Sequence, residues 1–180
     1  MIRLLDISIA LISLIILFPL LILILILAWF DIGSPLFFQK RVGLNQKNFM
    51  LVKFRTMRVN TISMGTHLVN GSAITTIGSF LRLTKLDELP QIWNVLKGDM
   101  SFVGPRPCLP NQKKLIKERL KRKIFTIFPG ITGLAQVKGI NMSTPILLAK
   151  TDLKMIKHLN LFYYCYYILV SILLMFGKKQ

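Results

Sequence analysis

The stretch "ISIALISLIILFPLLILILILAWF", residues Ile7 to Phe30, contains 24 consecutive residues without a charged side chain. A helix of this length is long enough to cross the hydrocarbon core of a bilayer, which is about 30 Å thick. A cleaved signal peptide has a shorter apolar region followed by a site of small residues, and Leu27 to Phe30 offers no such site. The sequence therefore predicts a segment that enters the membrane and stays attached to the rest of the chain.

Pro19 divides this apolar segment into two arms of nearly equal length. If the helix breaks there, each arm of about eleven residues reaches roughly the bilayer midplane, and the segment turns back as a re-entrant hairpin. The alternative is a kinked helix that spans the membrane, because proline is tolerated in membrane helices when Ser8 or Ser13 satisfies the freed carbonyl. The residues alone leave both models open. We predict the re-entrant form, with the helix broken at Pro19.

The chain is strongly basic, with 24 Lys and Arg against 7 Asp and Glu and a formal net charge of +17. Such an excess implies an anionic partner: nucleic acid, an acidic membrane leaflet or a phosphorylated small molecule. The apolar fraction of 53% favours the membrane, and nucleic acid is disfavoured because no nucleic-acid-binding motif is recognisable. Lys40, Arg41 and Lys47 follow the apolar segment, which predicts that the basic body is cytoplasmic. Cys108 and Cys165 are far apart and indicate neither a disulfide framework nor a zinc site.

The segment after the apolar stretch, "PLFFQKRVGLNQKNFMLVKFR", has two runs suited to strands, Leu36 to Val42 and Phe49 to Arg55, around a turn. This pattern predicts a small β-hairpin. Because successive side chains of a strand point to opposite faces, Lys53 and Arg55 share one face. Two cations on one face suit a diphosphate, although a solvated strand face is the commoner explanation of such a pair. The polar residues 56–76 that follow are predicted to be loop.

An acidic pair, Asp87 and Glu88, stands in "TKLDELPQIWNVLKGDMSFVGPRP", which begins at Thr84. The pattern predicts a helix with Thr84 as its N-cap, Pro90 in its first turn and Gly98 at its end. Acids in a first helical turn stabilise the helix dipole, and this is one explanation of the pair.

The other explanation of the acidic pair is chemical. A helix N-terminus holds a carboxylate ionised and attracts phosphate, which suits a nucleophile that attacks a phosphoryl group. Consecutive helical residues point about 100° apart, so Asp87 and Glu88 would take different roles, one as nucleophile and one as metal ligand. Arg106 lies between two prolines in Gly104 to Pro107, where it is suited to a bidentate phosphate contact or is an exposed arginine in a rigid turn.

The remaining segments complete a fold class that is mainly α with one small hairpin (α+β). Residues 111–125 predict a basic helix that contacts an anionic leaflet or solvent. Residues 159–180 are aromatic and then aliphatic, which favours the membrane interface. We predict three parts: a membrane-inserted re-entrant helix over residues 1–30, a cytoplasmic domain over residues 31–160 and a C-terminal membrane-interface helix over residues 161–180.

Four segments resemble, in this order and spacing, the bacterial sugar transferases, which are small monotopic phosphoglycosyl transferases: "SPLFFQKRVGLN", "KFRTM", "FLRLTKLDELPQIWNVLKGDMSFVGPRP" and "PGITGLAQVKG". The resemblance covers nearly the whole chain, to about Asn160, and its long central block is specific. It implies transfer of a sugar 1-phosphate from a UDP-sugar to polyprenyl phosphate, with Mg²⁺, at the cytoplasmic face of a bacterial inner membrane. Such a transfer initiates the synthesis of a polysaccharide or glycoconjugate.

The resemblance also implies roles for individual residues. Asp87 would be the nucleophile that forms a phosphosugar-aspartyl intermediate with loss of UMP, and Glu88 would help to bind the metal. The cations around the phosphates would be Lys53, Arg55, Arg82 and Arg106. A metal that bridges phosphate oxygens beside fixed cations is what phosphoryl transfer needs physically.

Two positions depart from the family pattern. The family commonly has arginine where this chain has Phe128, and an Arg-Asn pair where this chain has Ile140 followed by Asn141. The departures leave open a second hypothesis, a catalytically weakened member of the family that acts in assembly with other glycan-building proteins. Lys123 and Lys138 are the candidates to replace the missing charge. A third hypothesis is a non-catalytic, membrane-tethered basic module that binds anionic lipid or nucleic acid, and it rests on charge alone.

Overall fold

The structure is a computed structural model that describes residues 2–59 and 73–177, the last three of these by their backbone alone. Most of the loop predicted over residues 56–76 lies outside the described residues. The helices are α1 (Ile2–Ile32), α2 (Thr76–Leu83), α3 (Gln91–Lys97), α4 (Lys113–Lys121), α5 (Leu134–Val137), α6 (Pro145–His158) and α7 (Leu161–Gly177). The strands are β1 (Leu36–Val42), β2 (Asn48–Phe54), β3 (Ser101–Val103) and β4 (Gly130–Thr132). The mainly helical architecture with one small antiparallel hairpin confirms the predicted class.

β1 and β2 form the predicted hairpin, in which Phe37 lies opposite Lys53. Helix α3 is fixed to this hairpin by one side chain, Asn94. Its Oδ1 accepts from the backbone nitrogen of Val52 at 3.0 Å, and its Nδ2 donates to the carbonyl oxygen of Met50 at 2.8 Å. Asn94 thus bonds the free edge of β2 as a neighbouring strand would, and it holds the residues that precede α3 beside the hairpin.

β3 and β4 form a second, parallel pair that the sequence did not predict. Ser101 lies opposite Gly130 and Val103 lies opposite Thr132. A side-chain carbon on Gly130 would lie 2.0 Å from the backbone nitrogen of Gly104. The two backbone segments therefore approach this closely only because both residues are glycine. The close approach fixes the loop that begins at Gly104.

Helix α1 contains Pro19 and continues through it without interruption. The predicted break at Pro19 is therefore not shown by the secondary structure. Among the described residues, α1 is the helix whose length and composition are sufficient to cross a membrane.

One face of α1 lies on the rest of the protein along most of the length of the helix. The buried residues of α1 are Asp6, Ala10, Ile24 and Ala28. With 3.6 residues per turn, all four fall on one side of the helix. Ala10 packs in a cluster with Val95 of α3, whereas Ile24 packs with Leu81 of α2. The opposite face exposes large apolar side chains, of which Ile15 (75% exposed) and Phe30 (84%) are examples.

Polar side chains attach the two ends of α1 to the same body. At the N-terminal end, Arg3 donates from Nη1 to the carbonyl oxygen of Val95 at 2.7 Å and from Nη2 to that of Leu96 at 3.0 Å, in the last turn of α3. At the other end, the hydroxyl of Thr75 donates to the carboxylate of Asp31 at 2.5 Å. Both ends of the apolar helix therefore lie against one folded unit.

Asp6 attaches α1 to the rest of the protein through three hydrogen bonds to one carboxylate oxygen. Its Oδ1 accepts from the hydroxyl of Ser101 at 2.9 Å, from the backbone nitrogen of Phe102 at 3.0 Å and from the hydroxyl of Tyr164. This carboxylate is buried and joins α1, β3 and α7. A buried carboxylate is tolerated when its hydrogen-bonding capacity is used, as it is here.

Helix α7 is the apolar helix predicted at the C-terminal end. It packs on the body through Tyr164 and Tyr167, both buried, and leaves a row of large side chains exposed. That row includes Phe162 (72% exposed) and Leu173 (67%).

Candidate active site

Asp87 and Glu88 lie in a short 3-10 turn, Leu86–Glu88, between α2 and α3. Helix α3 begins only at Gln91, so the predicted placement of the pair in its first turn is wrong. Neither carboxylate accepts a capping hydrogen bond from the start of α3. The acidic pair therefore neither caps α3 nor lies in its first turn.

Thr84 ends α2, and the prediction that it is an N-cap is also wrong. It is the C-cap residue of α2, and its hydroxyl donates backward to the carbonyl oxygen of Phe80 at 2.8 Å. The next residue, Lys85, has a left-handed backbone with φ of 58°, which separates the acidic turn from α2. The predicted end of α3 at Gly98 is confirmed, with φ of 93°.

Asp87 is buried and surrounded by charged groups. Burial, followed by the neighbouring carboxylate of Glu88, raises the pKa of Asp87 to about 6. The cations Lys53, Arg106 and Lys85 act in the opposite direction and lower this pKa. The site thus holds a carboxylate that ionises near neutral pH and has positive charge on several sides.

Glu88 is in a different electrostatic state, although it is the next residue. Nη2 of Arg106 donates to its Oε1, and the two side chains are 40% and 14% exposed respectively. Burial alone would raise the pKa of Glu88, but the charge and hydrogen bond of Arg106 outweigh burial and lower it. Glu88 is therefore ionised, and part of the Arg106 side chain remains open to solvent.

Lys53 and Arg82 complete the positive surroundings of Asp87. Burial lowers the pKa of Lys53 to about 8, and Asp87 opposes this shift. Burial also lowers the pKa of Arg82, again against the attraction of Asp87. Arg82 is held in place by a hydrogen bond from Nε to the hydroxyl of Thr56 at 2.8 Å. The structure thus brings three of the four predicted cations, Lys53, Arg82 and Arg106, together around the acidic pair.

Arg55, the fourth predicted cation, directly follows β2 at the open end of the hairpin. Its Nε donates to the carbonyl oxygen of Ser34 at 3.0 Å and its Nη2 to that of Leu36 at 3.2 Å. Its guanidinium carbon is 5.3 Å from the ring centroid of Phe37, and Nζ of Lys53 is 5.4 Å from the same centroid. Lys53 and Arg55 therefore share a face, as predicted, but the donors of Arg55 are used by backbone carbonyl groups.

Arg41 was predicted only as part of a basic flank, yet the structure places it at the site. It is buried, and burial and the neighbouring charge of Arg106 lower its pKa to about 10. Its Nη1 donates to the carbonyl oxygen of Pro107 at 2.9 Å, and its Nε and Nη2 donate to Oε1 of Gln39. Strand alternation, which puts Arg41 on the face of Phe37 and Lys53, was a usable signal.

Arg119 and Asp152 form a buried ion pair that the sequence analysis missed. Nε and Nη2 of Arg119 donate to Oδ2 of Asp152 at 3.0 and 2.8 Å, which ties α4 to α6. The remaining Nη1 donates to the carbonyl oxygen of Arg106 at 2.8 Å. A signal was present, because Arg119 stands four residues after the buried Leu115 and so shares its helix face.

Comparison with known proteins places the chain in a family. Residues 1–178 match the family model described as bacterial sugar transferase. The chain belongs to the bacterial sugar transferase family. The resemblance stated from the sequence motifs is thereby confirmed.

Several curated members of the bacterial sugar transferase family are similar to the chain. An uncharacterized sugar transferase, EpsL, of Bacillus subtilis is 49% identical over 111 residues, which are 61% of the chain and 54% of that protein. The UDP-glucose:undecaprenyl-phosphate glucose-1-phosphate transferase of Xanthomonas campestris pv. campestris is 44% identical over 150 residues, 78% of the chain and 30% of that protein. The undecaprenyl-phosphate galactose phosphotransferase of Salmonella typhimurium is 36% identical over 156 residues, 77% of the chain and 33% of that protein. The chain thus spans about half or less of the length of these relatives.

The two departures from the family pattern lie beside the loop that carries Arg106. The carbonyl oxygen of Phe128 approaches Gly104 closely enough that a side-chain carbon on Gly104 would be 2.4 Å away. Ile140 is partly buried against the apolar cluster that contains Cys108. Lys123 and Lys138, the predicted substitutes, are both exposed.

A magnesium ion fits the donor set only if the substrate supplies most of its ligands. No group of three or more His, Cys, Asp or Glu side chains suited to a metal occurs in the described part of the chain. Mg²⁺ in phosphoryl-transfer sites is usually held by one or two carboxylates together with substrate phosphates and water. The ionised carboxylate of Glu88, next to Asp87, can supply the carboxylate ligand that the protein contributes to such a site.

Proposed function

We propose that this bacterial sugar transferase moves a sugar 1-phosphate from a UDP-sugar to polyprenyl phosphate. The observation that carries the proposal is the buried carboxylate of Asp87, whose pKa is raised to about 6 among Lys53, Arg82 and Arg106. A carboxylate that has lost its water shell is a stronger nucleophile, and fixed cations around it suit two phosphorylated substrates. The names of two relatives, which specify undecaprenyl phosphate, support the acceptor.

In the first step, a carboxylate oxygen of Asp87 attacks the phosphorus atom that carries the sugar. A bond forms between that oxygen and phosphorus, and the bond from phosphorus to the bridging oxygen breaks. The electron pair leaves with the bridging oxygen, so UMP departs and a phosphosugar-aspartyl intermediate remains. Lys53 and Arg106 balance the negative charge that this exchange spreads over the phosphate oxygens.

In the second step, a phosphate oxygen of polyprenyl phosphate attacks the same phosphorus atom. The new oxygen–phosphorus bond replaces the bond to Asp87, and the carboxylate is released unchanged. The product is a polyprenyl diphosphate sugar. Because both substrates are anions, one cluster of cations serves both steps.

Glu88 has a different role from the nucleophile Asp87: it is an oxygen ligand for Mg²⁺. Its lowered pKa keeps it ionised, as an oxygen ligand for Mg²⁺ must be. When bound, Mg²⁺ supplies charge neutralisation for the diphosphate. The ion pair with Arg106 orients the Glu88 carboxylate before substrate arrives.

The membrane arrangement of α1 follows from where its ends are attached. Arg3 at one end and Asp31 at the other bond to groups of the same folded body, so we propose that both ends of the segment are on one side of the bilayer. The exposed apolar face then contacts the lipid, although the continuous helix does not contain the break at Pro19 that the predicted re-entrant hairpin requires. A helix that spanned the bilayer would place its two ends on opposite sides of a hydrocarbon core about 30 Å thick, so that only one end could contact the body.

The remaining features of the proposal follow from this arrangement. The body lies at the cytoplasmic face of the inner membrane, where Lys40 and Lys47 meet the anionic leaflet. The exposed aromatic residues of α7, among them Phe162 and Tyr166, contact the membrane interface. The reaction is the first membrane-bound step in the synthesis of a bacterial glycan.

A donor panel tests the proposal. Purified chain in lipid nanodiscs, with Mg²⁺ and undecaprenyl phosphate, is incubated with a series of UDP-sugars, and released UMP is measured. At least one donor is expected to give Mg²⁺-dependent release of UMP, with no more than one UMP per chain when the acceptor is omitted and repeated turnover when it is present. Absence of release with every donor, followed by recovery in a Phe128→Arg variant, would instead support the catalytically weakened member.

A further inference from the structure

The loop that presents Arg106 is held by its backbone carbonyl groups. The carbonyl oxygen of Arg106 accepts from Arg119 at 2.8 Å, that of Pro107 from Arg41 at 2.9 Å and that of Cys108 from the backbone nitrogen of Val42 at 3.0 Å. Three consecutive carbonyl oxygens are therefore bonded by donors from two places in the sequence, α4 and the end of β1. Prolines at 105 and 107 cannot donate, so these acceptors carry the attachment of the loop.

Arg119 is itself fixed at its far side. Two of its nitrogen atoms donate to one oxygen of Asp152, and the side chains of the pair are only 2% and 1% exposed. The guanidinium is planar, so bonding along one edge to Asp152 sets the direction of Nη1, which bonds Arg106. Rotation of Arg119 would break all three hydrogen bonds together.

Stability alone is a weak reason for this arrangement. Removing two charges from water carries a large desolvation penalty, and an apolar pair of similar volume is often as stabilising as a buried ion pair. What an apolar pair cannot supply is a directed hydrogen bond to the carbonyl group of Arg106. The geometry therefore connects the buried pair to the position of Arg106, whose side chain reaches Glu88.

We propose that Arg119 and Asp152 are positioning residues, which fix the backbone at Arg106 so that its guanidinium contacts Glu88 on one side and a substrate phosphate on the other. This inference rests on the proposed function for the identity of that phosphate. The two residues themselves lie beneath the loop and touch no substrate. Their effect on the reaction passes through Arg106.

A double-mutant cycle tests this dependence. The paired change Arg119→Met with Asp152→Leu leaves no unpaired buried charge, and it is made in the wild-type chain and in an Arg106→Met chain. In the wild-type background, kcat/KM for the donor is expected to fall at least about tenfold, and in the Arg106→Met background less than about twofold. A purely structural role would give the same loss in both backgrounds, and that result, or no loss in the wild-type background, would overturn the inference.

Glu118→Gln is the matched control, because it lies on α4 next to Arg119 and breaks only a surface ion pair with Lys121 and Arg122. It is expected to leave kcat/KM unchanged. If the paired variant does not fold, Arg119→Lys replaces it, since one ammonium group cannot bond Asp152 and the carbonyl oxygen of Arg106 with the same geometry. Arg119→Lys is expected to show the same dependence on Arg106, and equal losses in the two backgrounds would again overturn the inference.

A readout without turnover separates this inference from the proposed function. In a Cys165→Ser background, the buried thiol of Cys108 reports on the loop. It is expected to resist a thiol reagent in the wild-type and Glu118→Gln chains. It is expected to react in the paired variant and also in Asp152→Asn, which keeps Arg119, a direct neighbour of the thiol, in place. If no donor is turned over by the wild-type chain, the proposed function fails, and the thiol result still decides whether the pair holds the loop. Equal protection of Cys108 in all chains would overturn the inference.

Discussion

Arg106 donates to Glu88 across 18 positions of sequence and leaves the adjacent Asp87 without an ion pair among the described residues. This one contact separates the properties of two neighbouring carboxylates. The pKa of Glu88 is lowered, whereas that of Asp87 is raised to about 6. Two titratable groups whose pKa values are pushed apart by their surroundings are suited to different roles.

The first prediction is that Asp87→Asn abolishes turnover. The amide has nearly the same shape but cannot form the acyl phosphate, so UMP release and any covalent phosphosugar adduct are expected to disappear together. Radiolabelled UDP-sugar and intact-mass analysis of the wild-type and variant chains measure both. A variant that turns over near the wild-type rate would rule out the covalent mechanism.

The second prediction concerns stability, and its sign follows from the raised pKa of Asp87. The folded chain binds this proton more tightly than the unfolded chain, so ionised Asp87 destabilises the fold at pH above about 6, and the penalty vanishes below pH 3.8. At pH 7.5, Asp87→Asn is expected to be more stable by up to about 3 kcal/mol. Thermal unfolding in nanodiscs from pH 4 to pH 8 should show the advantage shrinking as the pH falls through about 6. A constant difference across this range would contradict the assignment.

The third prediction separates the two cations of the second strand. The charge of Lys53 acts on Asp87, so Lys53→Met is expected to reduce donor turnover by about a hundredfold. Arg55 bonds Ser34 and Leu36, so Arg55→Met is expected to lower stability by about 1 kcal/mol with a much smaller effect on turnover. Turnover and thermal midpoints of the two matched variants decide between these roles. Equal losses of turnover would instead place Arg55 on a substrate phosphate.

The fourth prediction is that Glu88→Gln changes the use of metal. The neutral amide is a poorer ligand for Mg²⁺, so residual activity that recovers at higher Mg²⁺ concentration is expected. Turnover is measured over a Mg²⁺ series for wild type, Glu88→Gln and Arg106→Lys, the last of which keeps a positive charge opposite Glu88. An unchanged Mg²⁺ requirement in Glu88→Gln would remove Glu88 from the metal site.

The fifth prediction is that both ends of α1 face the cytoplasm. Leu4→Cys and Lys40→Cys, each in a Cys165→Ser background, provide exposed thiols at the two ends. A membrane-impermeant thiol reagent is expected to label both from the cytoplasmic side in inverted vesicles and neither from outside in intact cells. Labelling of the two positions from opposite sides would show a spanning helix that is kinked at Pro19.

Local patterns predicted the hairpin well, because its features are short-range. The alternation and the turn fixed β1 at Leu36–Val42, and the observed strand has the same bounds. The pairing of β3 with β4 depends on a close approach of Gly104 and Gly130, which are 26 residues apart and leave no periodic pattern. The N-cap assigned to Thr84 failed because the left-handed backbone of Lys85 starts a new turn there.

In the candidate site, too, some residues could be predicted from the sequence and others could not. Family motifs carried the prediction of Arg82, whereas the flanking prolines of Arg106 had already suggested a phosphate contact. Periodicity alone would not have joined either arginine to Asp87. Arg119 stood among exposed lysines of the same helix, and only its burial distinguishes it from them. Side chains that act on the backbone of a distant loop are difficult to predict from sequence, since their partner is a carbonyl group that every residue possesses.

The hydrogen bonds of Asp6 set an order of events during synthesis. Asp6 precedes its donors Ser101 and Tyr164 by 95 and 158 positions. Because a chain emerges from the ribosome N-terminal end first, α1 meets the bilayer before any of these donors exists. With α1 inserted as we propose, insertion comes early and the hydrogen bonds of Asp6 form late, when α7 is complete. A chain stalled before Tyr164 would then be inserted but not yet attached to its own folded body.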